Sequence, residues 1–172
     1  MVSELVPLPT VRYVTSGSCI AHCPFCHREG LNGEERINQQ RLAAILSSLK
    51  TYGFNSLTIA GGDPPNIGDV IWVASLFRSV GFKVGFTTSG LGLEYSEWSE
   101  ISPILDKLHI SVPALNPVLY KSWTGFNLEA ILEQIKFLRE FIKNLDKPTH
   151  DMLSFILCSN KNHLLLNKHQ RC

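Results

Sequence analysis

The chain has 172 residues, 44% of them hydrophobic, which fits one ordinary domain able to bury a core without cysteine staples. Sixteen basic residues against fifteen acidic ones leave a net charge of +1, so charge points to neither a nucleic acid nor an anionic membrane as partner. The N-terminal MVSELVPLPT has an acid and two prolines where a secretory signal needs a basic start and an unbroken apolar stretch, and no apolar run approaches the ~20 residues of a membrane-spanning helix. The expectation is a cytoplasmic protein, in which cysteines grouped together serve a metal or redox site more often than a disulfide framework.

Apolar strands alternate with helical patterns along the chain. VRYVTS (Val11 to Ser16) predicts a first strand, with the cysteine-rich stretch following as a loop. From Asn38, Leu42, Ile45, Leu46 and Leu49 recur at helical spacing, and Gly53 closes that helix. SLTIA (Ser56 to Ala60) reads as a buried strand ending at Gly61 and Gly62. Val70, Val73, Ala74, Phe77 and Val80 predict a second helix stopped by Gly81, and KVGFTT (Lys83 to Thr88) a third strand. A short helical segment around Tyr95, Trp98 and Ile101 precedes Pro103, and KLHISV (Lys107 to Val112) is a fourth strand. Asn127 is placed to cap the longest helix, which carries Leu128, Ile131, Leu132, Ile135, Leu138 and Ile142 along one face. MLSFILC (Met152 to Cys158) is a fifth strand. Strand, helix, strand in succession predicts βαβ units and a parallel sheet, with chemistry in the loops after the strand carboxyl ends.

Those loops hold the candidate residues. SCIAHCPFCHREG (Ser18 to Gly30) spaces Cys19, Cys23 and Cys26 as C-x3-C-x2-C, a short loop able to turn three sulfurs around one centre. Thiolates are soft ligands suited to zinc or to an iron–sulfur cluster. A zinc site would need a fourth ligand such as His22 or His27; a cubane cluster on three thiolates leaves one iron open. Unrelated buried thiols are the third reading. GGDPP (Gly61 to Pro65) follows the second strand and TTSG follows the third. Arg28 reads as a solvated surface residue, Cys158 as a core thiol and Cys172 as a mobile terminal one.

The cysteine spacing, with Phe25 before the third cysteine, resembles the cluster signature of the radical S-adenosylmethionine (SAM) enzymes. GGDPP resembles their GGEP segment. CPFCHREG and SVPALNPVLYKSWTGFNLEAILEQI are similar to stretches of the GTP 3',8-cyclases of molybdenum cofactor biosynthesis, above all at Ala114 to Pro117, Tyr120, Thr124-Gly125 and Asn127-Leu128. Two positions depart from the pattern: Asp63 stands for the usual glutamate and Pro113 for a common aspartate.

The resemblance implies a 4Fe-4S cluster on Cys19, Cys23 and Cys26, with SAM bound through its amino and carboxylate groups at the open iron. It implies that Phe25 contacts the adenine, that Gly61, Gly62 and Asp63 hold the amino end, and that Thr88 and Ser111 reach the carboxylate or ribose. Reductive cleavage of SAM would give a 5'-deoxyadenosyl radical that takes hydrogen from an unidentified small molecule, a nucleotide being one candidate. A reductant protein such as flavodoxin or ferredoxin would supply the electron. The implied fold is α/β, a partial (β/α) TIM-like barrel of about four to five βα units that lacks the sixth unit of the family core. Residues 1–172 then form a single core-like domain, incomplete at its C-terminal end, whose open sheet edge a partner chain would cover. The alternative is a non-catalytic or truncated iron–sulfur or zinc domain that needs such a partner to complete its fold.

Overall fold

The computed structural model describes residues 10–15, 19–26, 38–63, 67–145 and, for its backbone, 153–157. His27, Arg28, Pro64, Pro65, Cys158 and Cys172 lie outside the described residues. The elements run β1 (Thr10–Val14), α1 (Gln39–Thr51), β2 (Ser56–Ala60), α2 (Ile67–Ser79), β3 (Lys83–Thr88), α3 (Tyr95–Ile101), β4 (Lys107–Val112), α4 (Pro117–Thr124), α5 (Leu128–Lys143) and β5 (Leu153–Leu157).

All five strands are parallel, in the sequential order β1-β2-β3-β4-β5. Each crossover therefore steps to the next strand in the same direction, and because such crossovers share one hand the helices collect on one face. That is the curl of a β/α barrel left open: among the described residues β1 and β5 are edges. The helix-covered face carries the core. Leu57 and Ile59, Val84 and Phe86, and Leu108, Ile110 and Val112 are buried beneath Leu42, Leu46, Val70, Val73, Phe77, Trp98, Ile131 and Leu138. Each fully buried large side chain contributes roughly 1.5–3 kcal/mol, so this layer dominates the stability of the sheet.

The opposite, concave face is polar. Alternation along each strand and the register place Arg12 beside Thr58, Thr58 beside Gly85, and Gly85 beside Lys107. One step further along, Thr87 pairs with His109. A Cβ on Gly85 would sit 3.1 Å from the Thr58 hydroxyl, so glycine keeps this row of the sheet closely packed.

Helix ends follow local chemistry. Asn38 caps α1 by accepting from Gln40 N–H at 2.8 Å, and Lys50 in its last turn reaches the Gly81 carbonyl at 2.6 Å while lying over the Phe82 ring. Asp106 joins α2 to the sheet, accepting from Arg78 at 2.6 Å and from Val84 N–H at 2.8 Å. Asn127 occupies the N-cap position of α5, but its side chain makes no capping hydrogen bond. Ile45 on α1 and Leu132 on α5, assigned by periodicity to apolar faces, are 41% and 37% exposed at the margins of those faces. The sequence patterns also left out α4. This helix is set by Asn116, which accepts from Leu119 N–H at 3.0 Å, by Pro117 in its first turn and by Gly125 at φ +85° just past its end.

Candidate active site at the carboxyl ends of the strands

The carboxyl ends of β1, β2, β3 and β4 open on one side, as the parallel register requires. The loop after β1 holds the three cysteines. Thr15 extends the pairing with β2 through its N–H to the Ala60 carbonyl at 3.1 Å, and Cys26 N–H closes a turn on the Cys23 carbonyl at 3.1 Å. Cys19, Cys23 and Cys26 are in no disulfide, and each is partly exposed. Among the described residues no three histidine, cysteine or acidic side chains are gathered within reach of one metal ion. An all-sulfur donor set on one short loop nevertheless suits an iron–sulfur group and not a hard cation, and ligand binding commonly draws such loops together.

The turn after β2 is built from Gly61, in the left-handed region at φ +121°, then buried Gly62 and Asp63. Asp63 is only 8% exposed, and both of its oxygens are engaged by the loop after β3. Oδ1 accepts from the Thr88 hydroxyl at 2.5 Å, and the Ser89 N–H lies 3.2 Å from Oδ1 and 3.0 Å from Oδ2. The Ser89 hydroxyl also donates to Oδ2. Thr88 Oγ1 in turn accepts from Gly90 N–H at 2.9 Å, and Ser89 Oγ from Leu91 N–H at 3.3 Å. Asp63 and Thr88, both expected at the ligand, are thus brought together at the mouth and joined to each other. Ser111, on the concave face of β4, is half-buried.

Two glycines let this loop pack. At Gly90 (φ +72°) a Cβ would fall 2.7 Å from Ile131 Cδ1, and at Gly92 (φ +75°) 2.9 Å from Ile20 Cδ1. The second contact brings the loop after β3 against the cysteine loop. Beyond it, Gln134 of α5 donates to the Leu93 carbonyl at 2.7 Å and accepts from Trp98 Nε1 at 3.2 Å.

Helix α4 forms the fourth wall. Phe25 meets the Trp123 ring edge-on, with centroids 5.2 Å apart and planes at 70°, so the aromatic residue of the cysteine loop is held by a helix the sequence patterns left out. Tyr120, one turn earlier, is completely buried. Burial pushes its phenol up to about 12, and the charges of Cys23 and Asp63 act in the same direction. Its hydroxyl is shut off from solvent, and the Thr124 side chain beside it acts in the opposite direction. Tyr120, Trp123 and Ser89 are the site residues that pattern reading did not assign. An aromatic pair three residues apart between Asn116-Pro117 and Gly125 was the available signal for the first two.

On the concave face, His109 is held below the ordinary histidine range by partial burial and then by the charges of Lys107 and Arg12. These three cationic or protonatable groups share the face with the Thr58 and Thr87 hydroxyls.

An open parallel sheet with helices on one face and a three-cysteine loop after its first strand is the arrangement of a family of SAM-binding proteins. The Radical SAM superfamily model matches residues 13–160, and the chain belongs to that superfamily. The chain is 28% identical over 145 residues to a probable GTP 3',8-cyclase of Pyrococcus abyssi, covering 83% of this chain and 44% of that protein. A probable GTP 3',8-cyclase of Sulfurisphaera tokodaii is likewise 28% identical over 149 residues, covering 86% and 46%. The chain thus spans less than half the length of these relatives. Among solved structures, Streptococcus suis SuiB bound to S-adenosylmethionine superimposes with a TM-score of 0.63 at 22% identity, over 87% of this chain and 32% of that one. Methylornithine synthase gives 0.63 at 11% identity, over 86% and 52%. At these identities the likeness concerns the fold, and it bears out the partial parallel barrel. No helix among the described residues is long and apolar enough to cross a membrane.

Proposed function

We propose that the protein is a radical SAM enzyme in which Cys19, Cys23 and Cys26 hold a 4Fe-4S cluster and the neighbouring loops hold SAM. The observation that carries this reading is the C-x3-C-x2-C set, in no disulfide, on the loop leaving β1, packed through Ile20 and Phe25 against the loop after β3 and against α4. When bound and reduced by a flavodoxin- or ferredoxin-like protein, the cluster supplies the electron that cleaves SAM to methionine and a 5'-deoxyadenosyl radical. The chain's own part is placement and exclusion. The Gly61-Gly62 turn offers backbone to the amino end of SAM, Phe25 lies against the adenine, and Thr88 and Ser111 line the carboxylate and ribose side. Asp63 acts by tying the turn after β2 to the end of β3, where Thr88 lies.

The small molecule from which hydrogen would be taken would sit on the concave face. Arg12, Lys107 and His109 with flanking hydroxyls favour an anionic substrate, a nucleotide among the candidates. Anaerobic reconstitution followed by incubation with SAM, dithionite and matched nucleosides and nucleotides tests this. Phosphorylated compounds should raise 5'-deoxyadenosine output above the uncoupled background. Lys107→Ala should raise the KM for the responding compound roughly tenfold, the effect of one lost ion pair to a ligand, with the background unchanged. Stimulation by neutral nucleosides alone contradicts the anionic assignment.

A further inference from the structure

The loop after β3 touches two parts of the candidate site, one at each end. At its start the Ser89 N–H and hydroxyl both donate to the Asp63 carboxylate, the N–H at 3.0 Å, which fixes the turn after β2. Further on, Gly92 meets the cysteine loop. Among the described residues, Ile20 Cδ1 is the one atom within 4 Å of the place a Cβ on Gly92 would take, and it lies 2.9 Å from it. Ile20, bonded directly to Cys19, thus fills the notch that the missing side chain leaves.

The stretch between these two contacts is locked. Gly90 N–H donates to Thr88 Oγ1 at 2.9 Å and Leu91 N–H to Ser89 Oγ at 3.3 Å, while Leu91 and Leu93 are 5% and 8% exposed. Gln134 of α5 holds the Leu93 carbonyl from outside at 2.7 Å. A segment closed on itself, buried and pinned passes on a displacement instead of absorbing it. Phe25 anchors the same cysteine loop on α4, so Ile20 is its described link to the loop that holds Asp63.

Resting on the function proposed above, we infer that Ile20 is a positioning residue: seated at Gly92, it sets the spacing between the three cysteines and the turn after β2. A ligand held at both places at once needs that spacing fixed, because a misplacement of about 1 Å can cost about a hundredfold in rate.

Ile20→Ala removes the contact, and because Ile20 is 36% exposed the unloaded variant should melt close to the wild type. After anaerobic reconstitution it should load iron and sulfide to the wild-type level, all three thiols being present, and give the wild-type EPR signal on reduction with dithionite. The change that SAM makes to that signal should be diminished. Release of 5'-deoxyadenosine per loaded cluster should fall about tenfold or more, with a smaller rise in the Kd for SAM by calorimetry. Ile20→Val, which lacks only Cδ1, should fall between. Gly92→Ala should show the same losses, and combining it with Ile20→Val should restore part of them, since the atom the new methyl meets is then gone. The cost of a side chain at φ +75° is common to the single and double variants and drops out of that comparison.

An Ile20→Ala protein with the wild-type EPR response and release overturns the proposal. Reduced iron loading with normal release per loaded cluster overturns it in favour of a role in folding the cysteine loop. A double variant no better than Gly92→Ala overturns it in favour of backbone strain at Gly92. Should Gly92→Ala fail to fold, the graded pair Ile20→Val and Ile20→Ala decides the matter by the same EPR and release measurements. A wild-type protein that loads a cluster and leaves SAM intact overturns the proposed function together with this inference, whereas equal behaviour of an active wild type and Ile20→Ala overturns this inference alone.

Discussion

At Asp63 the local sequence and the three-dimensional partners give different answers. GGDPP placed a carboxylate at the end of β2, where it reads as a ligand for an amino group; the structure shows that carboxylate already holding Thr88 and Ser89, 25 and 26 residues later. Spacing along one loop cannot disclose a partner on the next strand, which is why the residue was legible and its bonding was not. Asp63→Asn should lower stability by about 1–3 kcal/mol, since the amide turns a donor toward the donors of Ser89, and urea denaturation of the unloaded protein will measure it. His109 gives the pH dependence. Burial and the neighbouring cations hold its pKa below the unfolded value, so its neutral form is the one the fold prefers. The associated stability is present above about pH 6.5 and is lost as pH falls through the depressed folded value, because the unfolded chain binds the proton first. Wild type should therefore lose more stability than His109→Gln between pH 7.5 and 5, by urea midpoint. A histidine NMR titration should place the His109 midpoint below 6.5.

The strands and the two long amphipathic helices were legible because alternation and helical periodicity report burial directly. β2, β3 and β4 fall on the residues the pattern named, and α1 and α5 within a residue or two of their expected ends. Helix α4 was not, being short and bearing an exposed Leu115 and Val118 near its start, so no apolar stripe marks it; its caps do. Asn116→Ala should cost about 1 kcal/mol by leaving the Leu119 N–H without its cap. Gly90→Ala should cost more, because the new methyl meets Ile131 at 2.7 Å in a backbone conformation that side chains rarely adopt. Thermal melts will rank the two, with Gly90→Ala the lower.

At the scale of the molecule, a sheet in sequential strand order keeps every crossover on one side and puts Arg12, Lys107 and His109 on the other face. Alternation of strands and helices was enough to predict a parallel sheet. The concave cationic face was not foreseen, because it depends on the register between strands, and Arg12 and Lys107 lie 95 residues apart in the chain. The cysteine loop packs through Ile20 against the loop after β3 and through Phe25 against α4, and its C-x3-C-x2-C set is what the radical SAM reading rests on. Its direct test is anaerobic reconstitution with iron and sulfide, then dithionite and SAM, with 5'-deoxyadenosine and methionine quantified by mass spectrometry. The wild type should bind about four irons per chain, as a 4Fe-4S cluster requires, and release both products, while Cys23→Ala should lose the cluster and both products together. A fully loaded wild-type cluster that leaves SAM intact, or a Cys23→Ala protein that keeps the cluster, would contradict it.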